Sequence, residues 1–240
     1  AGIAVAKGEW IAFLDADDIW YPRKLELVVS VIKNSSEAAV ICHNEYRHVE
    51  SISKRTLLCH GPYEEDFYRV LLVQGNRVST SAVTVRASFL TNHDLRFNTS
   101  PDFAVVEDYD LWLNIALHGG RFSFIDEPLG EYTIGNDNLT LDFERFHRNR
   151  TCLLRTHVFN IQKFEPNHYK LWRMMEVRLA IQSSKQLFYS QKYLSAVIGV
   201  FGAVSKSPIS LVLYLYWWAK RKVRHARLSR NLAPIGRYEN

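Results

Sequence analysis

A short apolar run that stops at three carboxylates constrains this chain more than any other feature. Ile11-Ala12-Phe13-Leu14 is followed by Asp15-Ala16-Asp17-Asp18-Ile19-Trp20. A bounded apolar run of this length reads as a buried strand. Open α/β sheets bind their ligands just past the carboxyl ends of strands. Asp15 and Asp17 stand two apart, so an extended backbone projects them to one side. Two carboxylates on one side offer an oxygen-rich site to a hard cation, Mg²⁺ or Mn²⁺. Asp18 falls on the other side, in position to cap a helix opened by Pro22. Asp clusters after strands also occur as plain turn formers and N-caps, and the tripeptide alone does not separate the two readings.

A second acidic group follows about 90 residues later: Val106-Glu107-Asp108-Tyr109-Asp110-Leu111-Trp112-Leu113. Leu111, Trp112, Ile115 and Ala116 fall at helical spacing, and Gly119-Gly120 ends the helix. Glu107, Asp108 and Asp110 then occupy its first turn, where acidic residues complement the helix dipole whatever their function. A carboxylate there stays ionised and able to accept a proton. A second carboxylate beside it pushes its pKa back towards the working pH, which suits a general base.

Between and around these groups the chain reads as alternating elements. Pro22 to Asn34 is helical in pattern, with Leu25, Val28, Val29 and Ile32 on one face. Ala38 to His43 is a second short apolar strand, and Arg47 to Arg55 a solvated hairpin or loop. Tyr63 to Val73 is an amphipathic helix with Phe67, Val70 and Leu71 inward. Arg77 to Arg86 suits a strand, with Val83 and Val85 alternating with small polar residues. Phe122 to Ile125 is another strand.

From about Asp142 the chain turns helical: Phe143 to Phe164, Tyr169 to Tyr189, Tyr193 to Val204, then Ile209 to Ala219 after Ser205-Lys206-Ser207-Pro208. A basic block, Lys220 to Arg227, closes the last of these. Two readings stay open for residues 209–230. One is a core helix with a solvated tail. The other is an interfacial helix, with Trp217 and Trp218 at the boundary and the basic block on anionic lipid.

The bulk properties narrow the class. The 240 residues suffice for one large domain or one domain with an extension. At 47% hydrophobic and 23% charged, the composition is globular. A net charge of +5 leaves nucleic acid, anionic lipid or a phosphate-bearing substrate open. The densest basic block lies at the tail, and no aromatic-basic interleaving runs along a sheet, which argues against nucleic acid. Cys42, Cys59 and Cys152 are odd in number without metal-ligand spacing and read as reduced thiols of a cytosolic protein. No signal-peptide pattern opens the sequence, and no apolar stretch reaches the roughly 18 residues a spanning helix needs. The expected location is cytoplasmic, with peripheral contact at the inner face of the membrane as an extension of the interfacial reading.

The whole run from Gly2 to Asp18 resembles the Asp-X-Asp region of family 2 glycosyltransferases, inverting enzymes of the GT-A fold. That region commonly reads Gly-Ile-X-X-Ala-Lys-Gly-Glu-aromatic-Ile-X-Phe-Leu-Asp-Ala-Asp-Asp. Glu107-Asp108, in Glu-Asp-Tyr-Asp-Leu-Trp, resembles the family's Glu-Asp motif. The resemblance covers about residues 1 to 140.

It implies an α/β fold of the GT-A type, a mixed, mainly parallel sheet flanked by helices. Residues 1–141 would form a partial catalytic domain and 142–240 a helical extension with a basic tail. The chain opens mid-motif, so the family's first βαβ units, with much of the base- and ribose-binding surface, are expected to be missing. By resemblance Asp15 faces the donor ribose or metal, Asp17 ligates the metal (Mn²⁺ or Mg²⁺), Asp108 is the general base and Glu107 orients the site or acceptor. Asp110 is one helical step off and reads as structural. The implied reaction moves a sugar from a nucleotide-diphosphate donor, a UDP-sugar by preference, to a carbohydrate or lipid-linked acceptor, in cell-surface polysaccharide synthesis.

Ser79, Thr80 and Ser81 resemble a family strand beside the acceptor, and either hydrogen-bond a sugar or simply suit a strand. Tyr132, Asn138 and Thr140 fit a further family pattern. Thr133 and Gly135 depart from it, standing where Arg and His are usual. That puts a third contact to diphosphate or metal in doubt, and His147 is either a substitute or a surface histidine. Two rivals remain. A phosphotransferase of the haloacid dehalogenase type also sets Asp-X-Asp after a strand, but usually continues Gly-Thr where this chain has Asp18-Ile19. A membrane-associated or carbohydrate-binding protein with a decayed site is the non-catalytic alternative.

Overall fold

The computed structural model describes residues 2–49, 54–135 and 142–231. After a single helical turn, α1 (Gly2–Val5), the sheet begins with β1 (Trp10–Ala12) and β2 (Ile19–Trp20). The sheet is built on β3 (Ala38–Val49), which is buried from Ala38 to Tyr46. It pairs antiparallel with β4 (Lys54–Leu58), which favours the hairpin over the loop of the two readings of Arg47 to Arg55. On one side β3 pairs antiparallel with β5 (Val83–Arg86), and β5 in turn with β1. On the other it pairs parallel with β6 (Arg121–Ile134), whose far part takes β2. The order is β1-β5-β3-β6-β2, with β4 off this path against β3.

The sheet is mixed, as expected, but its balance differs from mainly parallel. Of the five pairings among the described residues only β3–β6 is parallel. A parallel pair needs a long crossover, and the chain between β3 and β6 supplies one. The short strands pair antiparallel, β4 with the strand just before it and β1 and β2 with strands far along the chain.

Several boundaries differ, among them the end of β3, which runs on to Val49 past His43 because β4 and β6 pair with it there. The strand expected from Arg77 starts only at Val83, because Thr80–Ala82 coils into a 3₁₀ turn. Hydroxyl residues stabilise such turns by bonding nearby groups. The strand expected over Phe122 to Ile125 runs on to Ile134, through Pro128 and Gly130. The pairing register slips where His43 meets Ile125 and Asn44 meets Pro128. A bulge is where a strand tolerates proline.

Helices cover the sheet. These are α2 (Lys24–Asn34), α3 (Phe67–Gln74), α4 (Ala87–Asn92) and α5 (Glu107–Leu117). Helix α3 starts later than Tyr63 because the Asp66 side chain accepts the Arg69 N–H and caps it. The C-terminal helices are α6 (Phe143–Thr156), a π-helical turn (His157–Ile161), α7 (His168–Tyr189), α8 (Tyr193–Lys206) and α9 (Pro208–Asn231). One hydrophobic core runs from Val40 and Leu71 through Val83, Trp112 and Ile115 to Leu153 and Met175.

Helices α8 and α9 meet at 113°. No single described helix is long and apolar enough to cross a membrane. Helix α9 folds back over the body of the molecule. Arg221 donates to the Gln74 carbonyl at 3.1 Å, Arg224 to the His60 carbonyl at 2.7 Å and His225 to the Leu57 carbonyl at 2.9 Å.

Candidate active site

Beyond Phe13, whose N–H donates to the Val83 carbonyl, the chain leaves the sheet. The Asp18 N–H donates to the Asp15 carbonyl at 3.2 Å and closes a tight turn. Asp15 and Asp17 therefore stand on a turn and not on the extended backbone expected, in keeping with the turn preference of aspartate. Both still line one large cleft of about 1390 Å³. Burial and the charges of Asp17, Glu45 and Glu107 push the Asp15 carboxyl up. Asp18 is not the cap of α2, whose capping position, Arg23, makes no side-chain cap bond. Asp18 is buried instead, and its Oδ1 accepts the Thr133 N–H at 2.8 Å. Burial pushes its carboxyl up to about 6.

The second motif sits at the first turn of α5, and Glu107 and Asp108 line the same cleft. The Thr80–Ser81 turn joins the two motifs. Ser81 Oγ accepts the Asp15 N–H at 2.9 Å, and Thr80 Oγ1 donates to Asp108 Oδ2 at 3.4 Å. Phe13 adds an apolar clasp, edge-on to Phe97 and Trp112 with centroids 5.4 and 6.1 Å away. Asp108 is half-buried, and its Oδ1 accepts the Tyr109 N–H at 2.6 Å. Burial, then Glu107 and Asp15, push its carboxyl up to about 6 against that hydrogen bond. Asp110 turns away from the cleft, into a buried chain with His157 Nε2 at 3.0 Å and Tyr68 beyond it. The residue before the motif's N-cap, Val105, has φ +63°, a strained backbone for a β-branched side chain.

A polar layer beneath the aspartate turn escaped the sequence reading. Lys24 is fully buried, donates to the Ser81 carbonyl at 3.0 Å and lies 3.3 Å over the Trp20 ring. Burial lowers its pKa to about 7. Glu45 pairs with His60 at 3.0 Å, both buried. His43 is held neutral, its pKa lowered to about 4 by burial. The signal was His43-Asn44-Glu45, which looks like a strand end but is the middle of the central strand.

Of the remaining candidates, Tyr132 lines the cleft and Thr133 is buried against Asp18. Asn138 and Thr140 lie outside the described residues. Ser79 lines the cleft, while Ser81 is committed to the scaffold. His147 does not stand in for the missing family histidine: it is absent from the cleft wall, and its Nδ1 meets Ser183 Oγ at 3.1 Å. Cys42, Cys59 and Cys152 are free thiols. Among the described residues no group of three or more His, Cys, Asp or Glu is arranged to hold a metal. A Mg²⁺-like ion needs no such cage, since it binds through one or two carboxylates with phosphates and water. Asp15 and Asp17 fit that donor set.

A mixed sheet with helices on it and a carboxylate-lined cleft past the end of β1 is the GT-A architecture. TarS of S. aureus, residues 1–349 solved with UDP-GlcNAc, matches it with a TM-score of 0.52 at 16% identity, over 84% of this chain and 57% of that one. Residues 1–90 match the family described as glycosyl transferase family 2. An uncharacterized glycosyltransferase of Nostoc sp. is 39% identical over 77 residues, 32% of this chain and 24% of its own. One of Methanocaldococcus jannaschii is 24% identical over 182 residues, 75% of this chain and 60% of its own. The chain thus spans less than two thirds of these relatives.

Proposed function

We propose that the protein transfers a sugar, with inversion, from a UDP-sugar to a hydroxyl of a carbohydrate or lipid-linked acceptor in cell-surface polysaccharide synthesis. One observation carries this reading. A carboxylate poised near neutrality, Asp108, is tied through Thr80 and Ser81 to the Asp15–Asp17 turn in a single cleft.

The reaction is a direct displacement. Asp108 accepts the proton of the acceptor hydroxyl as its oxygen bonds to the anomeric carbon. The bond from that carbon to the diphosphate breaks on the opposite face. Glu107, one residue before Asp108, orients the acceptor and keeps the base's pKa up. Mn²⁺ or Mg²⁺ on Asp17 and Asp15 would neutralise the departing diphosphate. A base with a pKa of about 6 is ionised at cytoplasmic pH yet basic enough to take a proton.

Peripheral membrane contact is part of the proposal, at the inner face, and its seat shifts from 209–230 towards α8. Leu194, Val197, Ile198 and Phe201 are exposed and recur at helical spacing. Residues 177–238 contain no Asp or Glu, which suits an anionic lipid surface. In α9, by contrast, Arg221, Arg224 and His225 bond the body of the protein.

The test is calorimetric titration with UDP and Mn²⁺, beside Asp17→Asn. Metal-dependent binding lost in the variant supports a working transferase. Equal binding in both removes Asp17 as a ligand. Absence of binding with UDP and with the other nucleoside diphosphates favours the non-catalytic alternative.

A further inference from the structure

The cleft changes sign along its length. Asp15, Asp17, Glu107 and Asp108 line one half. Arg77, Arg150, Arg178, Arg221 and Lys222 line the other, around the C-terminal end of α3. The two halves meet at Asp108 and Tyr109. The charges that act most on Asp108 are Glu107 and Asp15, whereas those on Tyr109 are Arg178 and Arg150.

Part of this basic group has a structural occupation. Arg178 Nη1 donates to the Leu72 and Val73 carbonyls at 2.9 and 2.8 Å, and Arg221 to that of Gln74. These are carbonyls a helix end leaves open. Arg77 pairs with Glu64 at 2.7 Å. Arg150 and Lys222 have no carboxylate partner among the described residues. Arg150 lies over the Phe146 ring at 4.9 Å, and Lys222 is 5.9 Å from the Trp218 ring. The Nε atoms of Arg77, Arg150 and Arg178 are buried without a hydrogen-bond partner, as is Gln182 Oε1 in the same wall. Arg77 and Arg178 are more than nine-tenths buried. Burial and Arg178 lower the pKa of Arg150 to about 10, and burial, Arg77 and Arg178 lower that of Arg221. Buried cations are ordinarily paired. Among the described residues the only carboxylate ion-paired with this group is Glu64, on Arg77, and the group opens on a cleft.

We infer that this half of the cleft binds an anionic group, a phosphate or sulfate, carried by the acceptor. The word acceptor rests on the transferase reading; the anion site itself rests only on the cations and their unpaired atoms. The donor diphosphate belongs on the acidic side with its cation, so the basic side receives the other substrate. Lys222 and Arg150 supply the direct contacts, and Arg178 a fixed background charge.

The experiment is calorimetric titration of glycerol 3-phosphate into full-length protein saturated with UDP and excess Mn²⁺, in wild type, Lys222→Gln and Arg150→Gln. Lys222 is exposed, so its variant keeps the fold even if Arg150→Gln does not. Wild type is expected to bind on top of UDP, and each variant about tenfold more weakly, as for a lost hydrogen bond to a charged group. UDP affinity should be equal in all three. Displacement of UDP by glycerol 3-phosphate overturns the inference, because the cations then serve the donor diphosphate. So does equal binding in wild type and Lys222→Gln, or none up to about 20 mM. If wild type fails to bind UDP, the UDP-sugar reading falls, and the same titration without nucleotide decides the anion site.

Discussion

Replacing Asp108 by Asn should make the protein more stable and inactive at once. In the folded state burial, then Glu107 and Asp15, push the carboxyl up to about 6 from its ordinary 3.8. A shift of roughly two units corresponds to about 3 kcal/mol of disfavoured charge at neutral pH. The amide keeps an oxygen for the Tyr109 N–H, so little is lost in return. A net gain of about 2 kcal/mol is expected, which raises Tm by roughly 4–8 °C in a domain of this size. The sign with pH is fixed. The native carboxyl binds its proton more tightly than the unfolded one, so wild-type stability rises as pH falls through 6 towards 4. The advantage of Asn is therefore full at pH 8 and gone below the unfolded value. Differential scanning calorimetry of both proteins from pH 8 to pH 4 measures it. Transfer should fall about 10²–10⁴-fold, the range for a lost general base. Equal Tm values at pH 8, or a gap that does not close on acidification, would refute the placement of a disfavoured charge at this helix terminus.

In wild type, kcat/KM should fall tenfold per unit below an apparent pKa near 6; an acid limb near 4 would remove Asp108 as the base. Gly130→Ala would set a Cβ 2.5 Å from the Ile19 carbonyl, so it should part β2 from β6, lower stability by about 1–3 kcal/mol and weaken UDP–Mn²⁺ binding. Arg178→Met should cost about 2–4 kcal/mol in urea denaturation, because two carbonyls ending α3 lose their donor. Val197→Asp with Phe201→Asp should abolish flotation with anionic vesicles and change stability by less than about 0.5 kcal/mol each; undiminished flotation would clear α8 of the membrane role.

The legible parts of the sequence were those where one local rule acts alone. Apolar periodicity and Gly119-Gly120 gave α5, and with it the position of Glu107 and Asp108 at a helix start. The Ile11 to Leu14 run gave the place of β1 and the cleft past its end, but the strand is Trp10–Ala12, half-buried and not buried, and Leu14 is exposed because the chain leaves the sheet before it. What failed needed knowledge of a distant neighbour. Asp18 resembles a cap in sequence, but a main-chain N–H at Thr133, across the sheet, claims it. Lys24 reads as a solvated helix residue, yet the Ser81 carbonyl and the Trp20 ring hold it buried. The strand expected over Phe122 to Ile125 gave no sign of continuing through Pro128, and only the register slip against β3 lets β6 run through it. Of the basic half of the cleft only Arg221 and Lys222 were visible, as part of a charged tail and not of a wall, because their position depends on α9 turning back at Ser207.

The way α9 and α7 are fastened has a consequence for how such proteins diversify. Arg178, Arg221, Arg224 and His225 reach across to the carbonyls of Leu72, Val73, Gln74, His60 and Leu57. A carbonyl is present whatever side chain the position carries. The anchorage is therefore indifferent to most substitution in the half of the chain that bears the carboxylates. Those two halves can drift at separate rates, one conserving a reaction while the other changes the molecule it is offered.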